Sequence, residues 1–157
     1  GEAGPAVLLM KRAEREGDRW SGQVSLPGGH EEPEDATLVE TAIRETQEEV
    51  GVDLSAHGTL LGALDPLQAR ARGKRLSTTI APIVFVEHTR TEVTLGPEAS
   101  DAFWLPLDTA ASGALDDTYR YDRDGERGDF PCWRWEGRVV WGLTWRILSD
   151  LIVRARP

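Results

Sequence analysis

The sequence has little of what several classes of protein require. Its single cysteine, Cys132, excludes an internal disulfide framework and favours a reducing compartment, so we predict a cytoplasmic protein. Its three histidines, His30, His57 and His88, do not have the spacing of a zinc site. It also has no long apolar run and no charged-apolar leader, so we expect neither a membrane span nor a secretion signal.

Positive charge is also scarce. The chain has 18 Lys and Arg against 27 Asp and Glu, a net charge of −9, which argues against a broad nucleic-acid-binding surface. This balance does not exclude a small phosphorylated substrate, because bound divalent cations would reverse the local sign. The length of 157 residues fits one domain with its own core, which we expect to span residues 1–157. The sequence leaves a homodimer open.

The most informative segment covers residues 28–52. It begins with a Pro-Gly-Gly turn, whose two glycines permit positive φ and let the backbone approach a ligand closely. Asp35 is suited to be an N-cap or first-turn acid. No Gly or Pro follows until Gly51, which supplies a C-terminal stop, so the pattern predicts one helix over residues 35–50.

Three glutamates of this helix border its apolar stripe. At about 100° per residue, Glu49 falls about 40° to one side of Glu45 and Glu48 about 60° to the other. A merely solvated acidic face would lie opposite the core. Converging carboxylates repel one another unless a cation lies between them, and all-oxygen ligands suit Mg²⁺ or Mn²⁺. Arg44, one turn before Glu48, can hold that carboxylate. The alternative is a Glu-rich surface helix, which the preceding glycine turn makes less favourable.

These residues resemble a known family motif. Residues 44–52, Arg-Glu-Thr-Gln-Glu-Glu-Val-Gly-Val, resemble the REUxEExGU half of the Nudix box, and Gly29 with Asp35 six residues later resembles its GxxxxxE half. Asp35 stands where the family usually has Glu, and Thr46 where an aliphatic residue is usual. The gap to Arg44 is one residue longer than the general pattern, a feature of the coenzyme A diphosphatase branch.

Other segments resemble the same branch. Residues 8–13 and 22–29 look like its upstream LLTxR-(S/A)…GxxxFPGG signature, with the Arg expected between the two halves out of register. Residues 140–144 look like the opening of its later helix. The resemblance implies an α/β Nudix α/β/α sandwich with a mixed β-sheet between helices. It also implies hydrolysis of coenzyme A or its derivatives to 4′-phosphopantetheine and 3′,5′-ADP.

The expected site follows from the same resemblance. Glu45, Glu48, Glu49 and the carbonyl of Gly28 would hold Mg²⁺ or Mn²⁺, and Arg44 would orient Glu48. Glu48 or Glu98 would take the proton from water. Expected substrate-binding residues are Arg12, Gly29, Arg70, Arg72, Lys74 and Arg75.

Two of these assignments have plain alternatives. Glu98, which follows a Gly-Pro break, is equally explained as a solvated loop acid. The basic run over residues 68–75 is often only a solubilising loop, although its charge on an acidic chain suits phosphate capture. Two rival functions also stay open: a Nudix hydrolase of a nucleotide sugar, dinucleotide or oxidised nucleoside triphosphate, and a non-catalytic Nudix-fold binding module.

The remaining chain alternates between expected strands, loops and one more helix. A loop is expected over residues 68–75 and a connector over 53–58. Strands are predicted over residues 6–10, 23–26, 59–64, 77–86 and 91–95, a hairpin over 119–135 around Asp124-Gly125, and a second helix over 139–154. Because Nudix domains usually have another strand before the one over residues 6–10, the resemblance implies that residues 1–5 follow a segment that is missing from this chain.

Overall fold

The computed structural model describes residues 4–18, 21–71, 74–123 and 125–156, while the side chains of residues 70–77 and 126 lie outside that description. Its strands are β1 (Ala6–Arg12), β2 (Val24–Ser25), β3 (Thr59–Ala63), β4 (Leu67–Ala71), β5 (Lys74–Ile80), β6 (Ile83–Val86), β7 (Ala99–Pro106), β8 (Asp116–Arg123), β9 (Glu126–Trp135) and β10 (Arg138–Trp141). Its helices are α1 (Leu38–Val50), α2 (Leu54–His57), α3 (Leu107–Ala111) and α4 (Gly142–Ala155). None of these helices is long and apolar enough to cross a membrane.

The chain divides into two compact units. One comprises Leu8–Asp65 and Ala81–Phe103, and the other Gly1–Val7, Pro66–Ile80 and Trp104–Pro157. The expected single domain over residues 1–157 stays a prediction. The predicted α/β class is confirmed, because the chain combines helices with hydrogen-bonded strands.

The first unit contains α1, the short helix α2 and the two-stranded sheet β3–β6. Strand β1 pairs antiparallel with β2 and has β7 on its other side. The core of this unit gathers Met10, Val50, Val52 and Ala99, each less than a tenth exposed. Val50, the last residue of α1, therefore shares one core with Met10 of β1 and Ala99 of β7.

The second unit is built on the sheet β10-β9-β8 and the hairpin β4–β5. The predicted hairpin is confirmed: β8 and β9 pair from Asp116 with Trp133 to Arg123 with Glu126. Helix α4 packs against β9 and β10, with the rings of Trp133 and Trp145 6.1 Å apart.

Several predicted boundaries are wrong, each for a local reason. The basic run forms strands β4 and β5 instead of a loop, because its backbone pairs across a hairpin. The long strand over 77–86 is interrupted at Pro82, which has no amide hydrogen to donate to a sheet. Residues 91–95 form no strand. The second helix begins at Gly142, because the β-branched and aromatic residues before it pair as β10.

Helix α1 also begins later than predicted, and its cap is Thr37. The hydroxyl of Thr37 accepts a hydrogen bond from the amide of Glu40 at 3.2 Å. In return, the Glu40 carboxylate accepts one from the amide of Ala36 at 2.7 Å. This reciprocal pair satisfies amides at the start of the helix, so the predicted capping role of Asp35 is wrong.

We expect Thr37→Ala to lower the free energy of unfolding by about 1 kcal/mol, since a capping hydroxyl is lost. Thr37→Ser keeps the hydroxyl and should retain most of the stability. Urea titrations of the three proteins check this. A Thr37→Ala variant as stable as the parent would show that the hydroxyl does not cap α1.

Candidate active site

Asp35 holds Arg44 across the loop that precedes α1. Arg44 donates two hydrogen bonds to it, from Nε to Oδ1 at 3.1 Å and from Nη2 to Oδ2 at 2.9 Å. The Asp35 carboxylate also accepts from the Thr41 hydroxyl at 3.0 Å and the Glu32 amide at 2.9 Å. The hydrogen bond from Arg44 is the main reason that the pKa of Asp35 lies well below its usual value. The pair therefore stays ionised and anchors the loop to the helix.

The other edge of the Arg44 guanidinium contacts the glutamates. Nη1 donates to Glu45 Oε1 at 3.0 Å and lies 3.4 Å from Glu48 Oε2. Nη2 also donates to the carbonyl of His30 at 3.0 Å. Arg44 thus contacts Glu48 as the sequence predicts, but its closer contacts are to Asp35 and Glu45. The Glu48 side chain, 57% exposed, is held less closely by Arg44 than Asp35 or Glu45 is.

The glycine turn lies directly against two carboxylates. A methyl group at Gly29 would lie 2.5 Å from the carboxyl carbon of Glu45. The amide of Gly28 donates to Glu49 Oε2 at 3.3 Å. Neither glycine has a positive φ, so the predicted conformational reason for the pair is wrong. A side chain at position 29 would have to displace the end of the Glu45 side chain, so the glycine turn and that carboxylate are in direct contact.

Glu49 is a buried carboxylate, with only 4% of the residue exposed. Burial raises its pKa to about 7, and the negative charges of Glu45 and Glu98 act in the same direction. The Gly28 amide and the Arg12 charge partly oppose the rise in pKa. Glu45 and Glu98, from two parts of the chain, are therefore each within electrostatic reach of Glu49.

Glu98 reaches this cluster from the segment before β7. Its carbonyl accepts a hydrogen bond from the amide of Ala13 at 2.9 Å. Its carboxylate lies 3.7 Å from Nη1 of Arg15, and both of these side chains are about half exposed. The sequence could place Glu98 only in a loop, whereas the fold brings its charge to Glu49.

Arg12 lies at the end of β1, on the side of Glu49. Its Nε and Nη2 donate to Oδ2 of Asp18 at 3.3 Å and 3.0 Å. The sequence alone gives Asp18 no role. Only the fold shows that its carboxylate contacts Arg12, six positions earlier in the chain. The assignment of Arg12 to substrate binding stays a prediction.

The structure describes no side-chain positions for the basic residues of the run over 68–75. Arg72 lies outside the described residues, and for Arg70, Lys74 and Arg75 the structure describes the backbone of the β4–β5 hairpin alone. Arg70 and Arg75 are paired positions in that hairpin, and Lys74 pairs with Ala71. Their assignment to substrate binding stays a prediction.

The donor set suits a hard divalent cation, although it is not assembled as a finished site. Within the described ranges, no three His, Cys, Asp or Glu side chains lie together as a group that could hold a metal ion. The carboxylates of Glu45 and Glu49 nevertheless border the same glycine turn, and Glu49 carries an electrostatic penalty for ionising. A cation between them would remove that penalty, and oxygen ligands fit Mg²⁺ or Mn²⁺.

Comparisons with known proteins identify the family. A family model described as the NUDIX domain matches residues 1–124. An uncharacterized Nudix hydrolase, NudL, of Yersinia enterocolitica is 33% identical over 153 residues, covering 94% of this chain and 72% of that protein. An uncharacterized protein of Schizosaccharomyces pombe is 52% identical over 62 residues, covering 39% of this chain and 19% of its own length.

Solved structures agree on the fold. RenU, a Nudix hydrolase from M. smegmatis, superposes with a TM-score of 0.60 at 16% identity, covering 98% of this chain and 79% of that one. A C. elegans Ap4A hydrolase superposes with a TM-score of 0.54 at 22% identity, covering 68% of this chain and 72% of that one.

The chain belongs to the Nudix hydrolase family, whose members hydrolyse a pyrophosphate bond in nucleoside diphosphate derivatives and generally use divalent metals. The predicted family and fold are confirmed, whereas the coenzyme A diphosphatase branch stays a prediction.

The raised pKa of Glu49 predicts a pH-dependent stability. Below the ordinary carboxyl pKa of 4.5, Glu49 is protonated in both the folded and the unfolded chain. Its tighter proton binding in the folded chain stabilises the fold there, and this stabilisation is lost as the pH rises through about 7. Without divalent cations, Glu49→Gln should therefore be more stable than the parent at pH 8, by about 1 to 3 kcal/mol, and equal to it near pH 4.5.

Urea titrations at the two pH values, with a chelator present, make this measurement. Glu48→Gln is the matched control, because its carboxylate is exposed and its substitution should show no such pH dependence. A stability difference for Glu49→Gln that is the same at both pH values would contradict the assignment.

Proposed function

We propose that this chain is a divalent-cation-dependent hydrolase that cleaves the diphosphate of coenzyme A or its derivatives. The observation that carries the general reaction is the placement of Glu45 and Glu49 at the glycine turn, with Glu98 within electrostatic reach. Such a crowded set of carboxylates is unfavourable by itself and becomes favourable when it holds a cation. A diphosphate substrate brings the complementary negative oxygens.

Each residue of the candidate site would have its own role. Glu45, Glu48, Glu49 and the carbonyl of Gly28 would hold Mg²⁺ or Mn²⁺. When bound, the cation neutralises charge on the phosphate oxygens and lowers the pKa of water. Arg44 would orient Glu45 and Glu48, which it contacts while it is also tied to Asp35.

Hydrolysis then requires one proton acceptor. The oxygen of a water molecule forms a bond to one phosphorus, the bridging phosphoanhydride bond breaks, and the second phosphate leaves with the bond electrons. The proton of the water passes to Glu48 or Glu98, the two candidate carboxylates that keep about half of their surface exposed. The products are two phosphate monoesters, which for coenzyme A are 4′-phosphopantetheine and 3′,5′-ADP.

The coenzyme A assignment is supported by the sequence signature. Residues 8–13 and 22–29 resemble that branch, and Arg12 of this segment lies near Glu49. We propose a cytoplasmic location, which the single cysteine, Cys132, favours. A non-catalytic binding module is disfavoured, because the three box glutamates are all retained.

Product analysis by mass spectrometry tests the substrate. The purified chain is incubated with coenzyme A, a nucleotide sugar, a dinucleotide and a nucleoside triphosphate, with Mg²⁺, Mn²⁺ or a chelator. We expect 4′-phosphopantetheine and 3′,5′-ADP as the dominant products, and only when a cation is present. Faster cleavage of another member of the panel would replace coenzyme A as the substrate.

Glu48→Gln should lower turnover by at least ~10²-fold, since a cation ligand or proton acceptor is lost, with little change in fold. The matched control is Gln47→Ala, the exposed neighbour on the same helix, which should retain activity. Steady-state rates measure the turnover of both variants, and circular dichroism checks that both are folded. A well-folded Glu48→Gln protein with near-normal turnover would refute the role of Glu48.

We further expect the basic run to recognise the 3′-phosphate of coenzyme A. That phosphate lies far from the scissile bond and needs its own cationic partners. Replacing Arg70, Arg72, Lys74 and Arg75 together by Gln should raise KM for coenzyme A by roughly 10- to 100-fold. Dephospho-coenzyme A, which lacks the 3′-phosphate, should be affected much less.

The control variant loses the same four positive charges at positions outside the basic run. Four exposed arginines, at positions 120, 123, 127 and 146, are replaced by Gln in a second protein. This variant should bind both substrates as the parent does, since exposed ion pairs contribute little. An equal loss on both substrates in the first variant would mean that the basic run supplies only general attraction.

A further inference from the structure

A distant backbone segment docks on the C-terminal end of α1. The amide of Thr94 donates to the carbonyl of Val50 at 2.9 Å, and the amide of Gly96 donates to the carbonyl of Glu49, also at 2.9 Å. The last carbonyls of a helix have no partner within the helix and need one from elsewhere. Segment 94–96 supplies it, so this segment and the glutamate-bearing helix are held together by backbone groups.

Gly96 is the point of closest approach in this junction. A methyl group there would fall far inside van der Waals distance of the Glu48 carbonyl oxygen, 3.1 Å from the Glu48 carbonyl carbon and 3.4 Å from the Glu49 Cα. These are backbone atoms, so no side-chain rotation could make room. The φ of Gly96 is not in the left-handed region. Glycine is required here for space and not for its conformational freedom.

The docked segment leads directly into the turn that carries Glu98. The amide of Ala99 donates to the carbonyl of Gly96 at 3.2 Å, which closes the turn around Glu98. The amide of Ala13 donates to the Glu98 carbonyl at 2.9 Å, on the far side of the turn. The backbone of Glu98 is therefore fixed between α1 and the residue that follows β1.

We propose that Gly96 is a positioning residue, which sets the place of the Glu98 carboxylate relative to the glutamates of α1. The inference rests on the proposed hydrolase function, and within it on a contribution of Glu98 to the reaction. A side chain at position 96 would push the segment away from the helix and carry Glu98 with it. Catalytic groups tolerate such displacement poorly, because the reaction depends on their distance from the reacting atoms.

A double-mutant cycle tests this role. Gly96→Ala requires a displacement of about 1 Å, and a misplacement of that size costs up to roughly 10²-fold in rate. We expect Gly96→Ala to lower kcat by roughly 10- to 100-fold with a smaller change in KM. Glu98→Gln should also lower kcat. In the double variant, Gly96→Ala should cost no more than about a further twofold, because the group that it misplaces is already absent.

The control is Leu95→Ala, which alters an exposed side chain of the same segment and should retain the parent rate. If the losses from Gly96→Ala and Glu98→Gln multiply in the double variant, Gly96 acts through something other than Glu98 and the proposal is overturned. Full activity of Gly96→Ala, or of Glu98→Gln, overturns it as well. A parent chain inactive on the whole substrate panel would instead refute the proposed function.

Amide hydrogen exchange of the unmodified protein gives a second test that does not depend on a variant folding. The amides of Thr94 and Gly96 should exchange as slowly as those within α1, because both donate to its terminal carbonyls. Exchange at the rate of an unprotected loop would show that the segment is not docked, and would overturn the proposal whatever the activity data show.

Discussion

The ion pair between Arg44 and Asp35 is the interaction on which the candidate site depends. It joins the loop before α1 to that helix, through two hydrogen bonds of 3.1 Å and 2.9 Å to a carboxylate only 7% exposed. A planar guanidinium can hold Asp35 with one edge and Glu45 with the other, which a lysine ammonium could not do with the same fixed geometry. The pair therefore places the glycine turn against the helix and orients the glutamates at the same time.

Charge balance explains why this arrangement calls for a cation. Arg44 neutralises the outer side of the cluster, where Asp35 and Glu45 lie. On the inner side, Glu49 is buried near two other carboxylates and has only the Gly28 amide and the more distant Arg12 to oppose them. The remaining deficit of positive charge lies beside the glycine turn. On a chain with a net charge of −9, a metal ion held there would reverse the local sign and make it attractive to phosphates.

The parts of this site that the sequence predicts are those set by local chemistry. Helical spacing predicts which face of α1 carries the glutamates, and Gly51 marks where the helix ends. The start of α1 is harder, because Asp35 and Thr37 are both good caps and only the fold shows that Asp35 is engaged by Arg44. Likewise, the alternation that would reveal β4 and β5 is hidden by basic side chains. The nearness of Glu98 to Glu49 depends on contacts between residues far apart in sequence, which no local pattern contains.

Glycines show the same division between local and non-local causes. Gly51, with φ of 71°, ends α1 in the left-handed conformation, a role that a sequence pattern can predict. Gly29 and Gly96 have no such conformation, but at both positions other atoms fill the space of a side chain. At Gly29 that space is taken by the Glu45 carboxylate, and at Gly96 by the backbone of α1. Backbone therefore approaches the helix closely at two places, one beside the glutamate side chains and one at its C-terminal carbonyls. The end of the Glu45 side chain can move to relieve the first approach, whereas the backbone atoms at Gly96 cannot rotate away, so main-chain packing fixes how closely segment 94–96 lies against α1.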